Sequence, residues 1–439
     1  MDNNIIVSKF GSTAMADAER IKKTAEIIKS NPNRRYVVVS APGQLTPDDI
    51  KITDLLYICY SRYESRENFA EVLTIIQDRF EEIVRDLGID FDVATEIAEL
   101  KRTLFFGKSR DTTASRGEYI VAKILAAYLG WNFVDAGKLI FFNKDGTLNE
   151  QTTFKAIENI ISNLPNAVIP GGYGMVDGKI AKTTARGDGT GAAIARVLNA
   201  PFYEKWTNHP GIFIADQAYV ENPLMIRNAT YKELLELGYM GISVIYEDAI
   251  FKLMNTSVSL NIRNINKPDD KGTIISSQLP EGTERKVAAC ISGRRNFKML
   301  RIDKFGLNRT HGIGQKIFET FAKYRISCEH YVSGIYNFAV VVKNPMFDLK
   351  RQDIIKDITN AIHPEQIVIE KDLSLIAIIG EGMGTVKGIF ARIFDAIASI
   401  GVKVRMIDQG ADDLNIIIGV YDEDFEACIK VLYKAMILD

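Results

Sequence analysis

Residues 185–195, ARGDGTGAAIA, set one arginine and one aspartate among glycines and then run straight into an alanine-rich helical pattern. Glycine lets a backbone approach a ligand closely. A helix N-terminus presents unpaired N–H groups with a partial positive charge, so the stretch suits an anion such as phosphate. The same pattern also opens many ordinary helices, and alone it leaves both readings open. Two further segments place glycine and polar residues after an apolar run: AVIPGGYG at 167–174 and PFYEKWTNHPGIFIAD at 201–216. Strand ends of this kind meet at one crevice in open α/β sheets, which is where such sheets bind ligands.

The elements that would position these residues follow from the hydrophobic rhythm. NIIVSK reads as a strand, DAERIKKTAEIIKS as a helix, RRYVVVSAPG as a strand, and Thr53 to Gly107 as a long helical stretch. That alternation predicts a parallel sheet covered by helices. Proline, glycine and charge cluster at NKPDDKGTIIS (266–276) and again at QLPEGTERK, which predicts a domain boundary there. Beyond it a strand, helix, strand, strand, helix, strand pattern occurs twice. The first copy runs from FKMLRID through GIGQKIFETFAKYRI, CEHYVSG, YNFAVVVK and IIKDITNAI to QIVIEKD. The second runs from LSLIAIIGEGM through TVKGIFARIFDAIASIG, VKVRMID and LNIIIGVYD to FEACIKVLYKAMI. An internal βαββαβ repeat is a strong structural signal.

A chain of 439 residues, 46% hydrophobic and 25% charged, has room for two to four domains around large cores. Its formal net charge of −2 gives no general electrostatic basis for binding nucleic acid or an anionic membrane. Cys59, Cys290, Cys328 and Cys428 form no CxxC pair, and they read as buried thiols in a reducing compartment. His209, His311, His330 and His363 are scattered and read as surface or cap residues. The N-terminus lacks a signal pattern and no apolar run is long enough to span a bilayer, which predicts a cytoplasmic protein.

The order of many short pieces is more specific than any one of them. Lys9-Phe10-Gly11, SAPG at 40–43, DIKITDLLY, SRGEY at 115–119, VIPGGYG, the ARGDGTGAAIA stretch, EKWT then ADQ, GYMGISVIYEDAIF, and NKP followed by GTIIS together resemble the monofunctional aspartate kinases. The resemblance implies an α/β amino-acid kinase fold, a mostly parallel sheet between helices, over residues 1–280. Two ferredoxin-like ACT units would follow, the first (296–372) inserted into the second (284–295 plus 373–439). It implies transfer of the ATP γ-phosphoryl group to the side-chain carboxylate of aspartate with Mg²⁺, the step that opens lysine, threonine and methionine biosynthesis. ACT units would then bind an inhibitory amino acid such as lysine or threonine.

Such chemistry rests on positioning and on neutralising phosphate oxygens. Under the resemblance Lys9 meets those oxygens as a point charge while Gly11 admits backbone N–H groups, and Ser12, Thr13, Gly171, Gly172, Thr207, Asn208, Asp216 and Ser243 complete the nucleotide site. Glu118 accepts the substrate's α-ammonium, Arg116 pairs with its carboxylate, Thr53 is a helix N-cap and a substrate contact, and Arg186 grips the acceptor carboxylate with Asp188 beside it. The effector would meet Gly312, Ser333, Gly334 and Tyr336. The metal ligands are not assigned.

The chain departs from the family pattern within these motifs. Ser12 stands where a glycine is usual, the loop after Arg186 is shorter, and Thr207-Asn208 and Asp216-Gln217-Ala218 replace Thr-Asp and Asp-Pro-Arg. Gly172 replaces an aromatic residue, and Tyr336 stands where a small acidic one is typical. A kinase of another amino acid or carboxylate, and a catalytically weak amino-acid-sensing subunit, therefore stay open beside an aspartate kinase. LNIIIGV and NFAVVVK read as apolar sheet edges that pairing across a two-fold axis would cover, which predicts a homodimer or a dimer of dimers through the ACT units.

Overall fold

The computed structural model describes residues 4–106, 109–183, 186–283, 288–343, 345–381, 383 and 386–438. Gly107, Ala185, residues 284–287, Gly382 and Thr385, all within stretches read above, lie outside the described residues. The chain divides into two compact units. One comprises 1–212, 225–235 and 243–281; the other comprises 213–224, 236–242 and 282–439.

The first half of the chain contributes β1 (Ile6–Phe10), α1 (Ala18–Lys29), β2 (Arg34–Val39), α2 (Ile52–Glu64), α3 (Ala70–Leu87), α4 (Val93–Phe105), α5 (Arg110–Ala114), α6 (Arg116–Leu129), β3 (Asn132–Phe133), α7 (Glu150–Ile160), β4 (Ala167–Pro170), the hairpin β5 (Tyr173–Val176) and β6 (Lys179–Lys182), and α8 (Arg186–Val197). Then come β7 (Phe202–Thr207), β8 (Ile212–Phe213), β9 (Met225–Ile226), β10 (Asn228–Thr230), α9 (Tyr231–Tyr239), α10 (Glu247–Leu253), β11 (Ser259–Asn264) and β12 (Thr273–Ser276). The sheet order is β10-β12-β11-β7-β1-β2-β4-β3, and only β11–β12 pairs antiparallel. Both faces of its central strands are covered, and every residue of β1 and β4 is buried. One core joins Phe10, Val37, Ile52, Phe80, Ile124 and Trp206.

The single helical stretch expected from Thr53 to Gly107 is three helices. Gly88, at φ 69°, ends α3 in the left-handed conformation, and Ser65–Phe69 separates α2 from α3.

The second unit contains β13 (Cys290–Asp303), α11 (Ile313–Lys323), β14 (Cys328–Ser333), β15 (Asn337–Lys343), α12 (Met346–Ile362), β16 (Gln366–Ile379), α13 (Ile389–Ser399), β17 (Met406–Gln409), β18 (Asn415–Tyr421) and α14 (Phe425–Tyr433). They form one six-stranded sheet, β14-β15-β13-β16-β18-β17. β13 and β16 are each 14 residues long and antiparallel. The far half of β13, from Phe297, pairs with β15, while the far half of β16, from Leu373, pairs with β18. The two βαββαβ copies therefore share their long strands, and their first helices match: α11 and α13 are 11 residues each and follow Gly312 and Gly388 at φ 78° and 82°. NFAVVVK and LNIIIGV are not edges, since β15 lies between β14 and β13 and β18 lies between β16 and β17. Their unbroken apolar character reflects two-sided pairing and burial. The outer strands are β14 and β17. A 2.7 Å hydrogen bond joins His330 Nδ1 of one to Asp408 of the other, so the sheet curves back on itself.

Candidate active site

The C-terminal ends of β1, β2, β4 and β7 surround a cavity of about 460 Å³ in the first unit. Register places its key cations. β1 and β7 are parallel neighbours with Lys9 opposite Lys205 and Ser8 opposite Glu204. Because side chains alternate along a strand, the two lysines share one face and Ser8 and Glu204 share the other. On that second face the Glu204 carboxylate accepts from Ser8 (3.0 Å), Trp206 Nε1 (2.9 Å), Arg34 at both oxygens (2.7 and 3.1 Å) and Arg263 (3.1 Å). This buried network fixes the height of β7 against β1 and β2.

On the cavity face the lysines meet Asp188. Its carboxylate is 1% exposed, with Oδ1 3.1 Å from Lys9 Nζ and Oδ2 2.5 Å from Lys205 Nζ. Burial raises the Asp188 carboxyl, but the two ammonium charges outweigh it and hold the group below the usual carboxylate range. Burial pushes the Lys205 ammonium down to about 8; Asp188 opposes that fall, and Lys9 and Arg186 add to it.

The glycines expected to form a phosphate-cradling loop lie inside α8, which begins at Arg186. Their use is close packing. A Cβ on Gly171 would sit 2.6 Å from Gly187 Cα, and one on Gly191 would sit 2.5 Å from the Tyr203 ring. Without side chains there, α8 lies directly on the sheet and delivers Asp188 to the lysine pair. Gly172 N adds a 3.3 Å bond to Thr190 Oγ1.

A second group of charges lines the same cavity. Glu118, in the first turn of α6, accepts from Lys182 Nζ at 2.7 Å through Oε1, while its buried Oε2 has no hydrogen-bond partner among the described residues. Lys182 ends β6, and its backbone N–H donates to Asp111 at 2.9 Å. Arg186 lines the cavity with its guanidinium 5.5 Å from the Tyr246 ring centroid. Thr53 lines it too, but it stands inside α2 and the N-cap is Lys51.

Gly11, Ser12, Thr13, Gly172, Thr207 and Asn208 also line the cavity. Arg116, Gly171, Asp216 and Ser243 do not. Arg116 lies 4.1 Å from the Tyr119 ring centroid, and Gly171 is spent on helix packing. Asp216, in the 213–224 segment, accepts from Ala218 N at 2.9 Å within its own turn, and Ser243 Oγ reaches Ile245 O at 3.5 Å. Sequence reasoning missed Lys205 and Lys182, along with Lys51, Asp54, Tyr57 and Tyr246. The alternation in EKWT signals Lys205, since Lys9 and Lys205 must share a face; no motif points to Lys182.

In the second unit Gly312 caps α11, Ser333 ends β14, and Gly334 and Tyr336 lie in the turn to β15, where Tyr336 stacks on Phe305 at 6.4 Å. Burial pushes Cys59 up to about 12 and Cys328 and Cys428 up to about 11, so these thiols are poor nucleophiles. Among the described residues no cluster of three or more His, Cys, Asp or Glu side chains could hold a metal, and no helix is long and apolar enough to cross a membrane.

Comparison with known proteins identifies the family. The amino acid kinase family model matches residues 4–264, and an ACT domain model matches 376–436. Aspartokinase 3 of Bacillus subtilis is 29% identical over 98% of both chains. The crystal structure of aspartate kinase from Clostridium acetobutylicum is 38% identical, covers 99% of this chain and 100% of its own, and superposes with a TM-score of 0.91. Escherichia coli aspartokinase III, solved in complex with aspartate and ADP, shares the fold at 21% identity and TM-score 0.75, over 99% of this chain and 100% of its own. The chain belongs to the amino acid kinase family and, within it, to the aspartate kinases.

Proposed function

We propose that the protein transfers the γ-phosphoryl group of ATP to the side-chain carboxylate of L-aspartate, giving 4-phospho-L-aspartate and ADP. The observation that carries this reading is a cavity lined both by a buried Lys9–Asp188–Lys205 cluster and by Glu118, whose buried Oε2 has no hydrogen-bond partner among the described residues. Two lysines sharing one carboxylate leave net positive charge facing the cavity, which suits phosphate oxygens. A side-chain carboxylate oxygen of aspartate bonds to the γ-phosphorus as the bond to the ADP oxygen breaks. Lys9 and Lys205 hold the equatorial oxygens, Asp188 fixes both lysines, Arg186 holds the acceptor carboxylate, and Glu118 takes the α-ammonium. Gly11, Ser12, Thr13, Gly172, Thr207 and Asn208 form the nucleotide wall.

Mg²⁺ would arrive on the ATP phosphates, as this ion is usually held by one or two carboxylates plus substrate phosphates; Asp54 is the lining carboxylate that would join it, since both oxygens of Asp188 are held by Lys9 and Lys205. When bound, the ion neutralises charge on the phosphate oxygens. The shared strands support two ACT units at 296–372 and at 284–295 plus 373–439, following a kinase domain at 1–280. The ACT match supports feedback by an amino acid, lysine or threonine, at Gly312, Ser333, Gly334 and Tyr336. The exposed Tyr331 and Val332 of outer strand β14 support an even-numbered homo-oligomer through these units, and the reading places the enzyme in the cytoplasm.

A coupled ADP-release assay tests the reaction. L-Aspartate should stimulate release well above the ATP-only rate and Lys9→Ala should lower it by about a hundredfold or more. Another acceptor that outperforms aspartate, or no stimulation by any amino acid, would overturn it.

A further inference from the structure

We infer that the second unit carries a binding site for a short aliphatic diammonium compound, in the pocket where Glu236, Glu329, Asp408 and His330 come together. It lies apart from the residues proposed for the amino-acid effector: Ser333 ends β14 and Gly334 and Tyr336 follow it, whereas Cys328 to His330 open the strand on this side.

The pocket, of about 370 Å³, is walled by the last turns of α9, the start of β14, and β17 with its turn into β18. Every residue lining it belongs to the second unit. Three of them are carboxylates, and none of the described lining residues is a lysine or an arginine. Neutral donors orient two of these groups: Glu236 accepts from Asn415 Nδ2 at 2.7 Å and Glu329 from the Tyr239 hydroxyl at 2.6 Å. Such bonds orient a carboxylate but leave its charge in place, so the pocket attracts a cation. Burial raises the Glu236 carboxyl and the charge of Asp412 adds to it, while the bond from Asn415 opposes the rise.

Acidic residues alone do not define a ligand; His330 does. Its side chain is 9% exposed, its Nδ1 lies 2.7 Å from Asp408 Oδ2, and its Nε2 is buried with no hydrogen-bond partner among the described residues. An ionised carboxylate only accepts, so the ring hydrogen sits on Nδ1 and Nε2 is left as an acceptor without a donor. The ring meets Tyr239 edge to face, with centroids 6.1 Å apart and planes at 74°, and together with the Asp408 bond this fixes the imidazole in the pocket wall. A positively charged occupant bearing N–H groups satisfies both demands, and that is an ammonium. A metal ion is the other partner for such a nitrogen, but no three His, Cys, Asp or Glu side chains among the described residues are placed to hold one. Three carboxylates favour two positive charges over one, and Ile417 offers apolar surface to the carbons between them.

Calorimetric titration of the full chain with 1,4-diaminobutane at constant ionic strength tests the site. The diamine should bind at least about tenfold more tightly than its analogue with both nitrogens fully methylated, which keeps two charges but has no N–H, and 1,4-butanediol should not bind. Glu236→Gln and His330→Phe should each weaken the diamine about ten- to a hundredfold, the range for a hydrogen bond to a charged group, and Ser333→Ala should leave it unchanged. A proton and an ammonium compete for Nε2, so affinity should fall as His330 protonates, followed through its ring proton resonance, and the fall should persist in Glu236→Gln. The other groups around the ring are Asp408 on β17, Glu236 and Tyr239 on α9, Glu329 and Cys328 on its own strand, and Arg294 of β13, which donates to Tyr239 O at 2.7 Å. Burial pushes Cys328 up to about 11 and raises Tyr239, so neither titrates with the imidazole. Thermal midpoints check that the variants fold, and Glu236→Gln, which spares the His330–Asp408 bond, decides the matter should His330→Phe not fold. No binding of the diamine, equal binding of the methylated analogue, undiminished binding in a folded Glu236→Gln, loss of binding in Ser333→Ala, or tighter binding of Zn²⁺ than of the diamine would each overturn the site, and none of these outcomes touches the kinase reading.

Discussion

Lys205 carries the sharpest test of the ion cluster, because its ammonium is held near 8 by burial while the free side chain titrates near 10.4. Raising the pH through 8 in the free enzyme removes the cation proposed to meet the ATP phosphates. One unit above, only about a tenth of the molecules keep it, so kcat/KM for ATP at pH 9 should stand about tenfold below its plateau. Bound phosphates favour the charged lysine, so kcat, which reports the ternary complex, should hold to higher pH. The assay is a pH series of ADP release at low and at saturating ATP. Lys205→Arg should lose this basic limb, since a guanidinium stays charged throughout the range. Stability carries its own signature, with the sign set by the lowered folded-state value. Between about 8 and 10.4 the unfolded chain binds the Lys205 proton and the folded chain does not, so this lysine's contribution rises with pH in that window and is unfavourable below it, by about 3 kcal/mol. A flat kcat/KM for ATP across the range, or an unchanged basic limb in Lys205→Arg, would refute the reasoning.

Three further outcomes are expected. Glu204→Gln should cost about 3–5 kcal/mol in urea unfolding at pH 7, because it leaves Arg34 and Arg263 without their buried counter-charge. Burial raises the Glu204 carboxyl, but the bonds and charge of Arg34 hold it below the usual value; its contribution is thus present above the ordinary carboxylate range and lost as pH falls, and the variant's acid limb should be shallower than that of wild type. Gly191→Ala should lose about 1–3 kcal/mol of stability, measured by thermal unfolding, since the new methyl would meet the buried Tyr203 ring at 2.5 Å. Glu118→Gln should raise KM for aspartate about tenfold or more, whereas Arg116→Ala, whose guanidinium rests on Tyr119 outside the cavity, should change it by less than about threefold in the same assay.

What was legible in the sequence divides along a physical line. Strands and helices with one clear period could be read, as could the polar residues at strand ends and in first helical turns, and Lys9, Glu118, Arg186, Asp188, Thr207 and Asn208 all line one cavity. Pairing was less legible. NFAVVVK and LNIIIGV are as apolar as an exposed edge would be hazardous, and only the 14-residue strands β13 and β16, each serving both βαββαβ copies, make them interior. The glycine run was read from composition as a loop. Its glycines serve a helix pressed against a sheet, and what demands them is Tyr203 and Gly171, far away in sequence. Lys205 is legible in EKWT only through alternation combined with the β1–β7 register, which sets it opposite Lys9. Lys182 carries no local signal at all, since its ion-pair partner Glu118 lies 64 positions earlier.

The cavity's charges also explain how two anions can be brought together. ATP phosphates and an aspartate side chain repel one another, and a uniformly positive pocket would bind both without ordering them. Here the cations are partitioned. Lys9 and Lys205 share one carboxylate, which leaves a net positive end, while Lys182 and Glu118 form a neutral pair that suits a zwitterion and offers little to a phosphate chain. Arg186, close enough to Lys205 to depress its titration, is a further cation on the same cavity wall and the one proposed for the acceptor group. Ser12 and Asn208, where the chain departs from the family pattern, line the same cavity but belong to neither charge set. Both charge sets line one cavity, an arrangement that suits a working kinase better than a sensing subunit that has lost its chemistry.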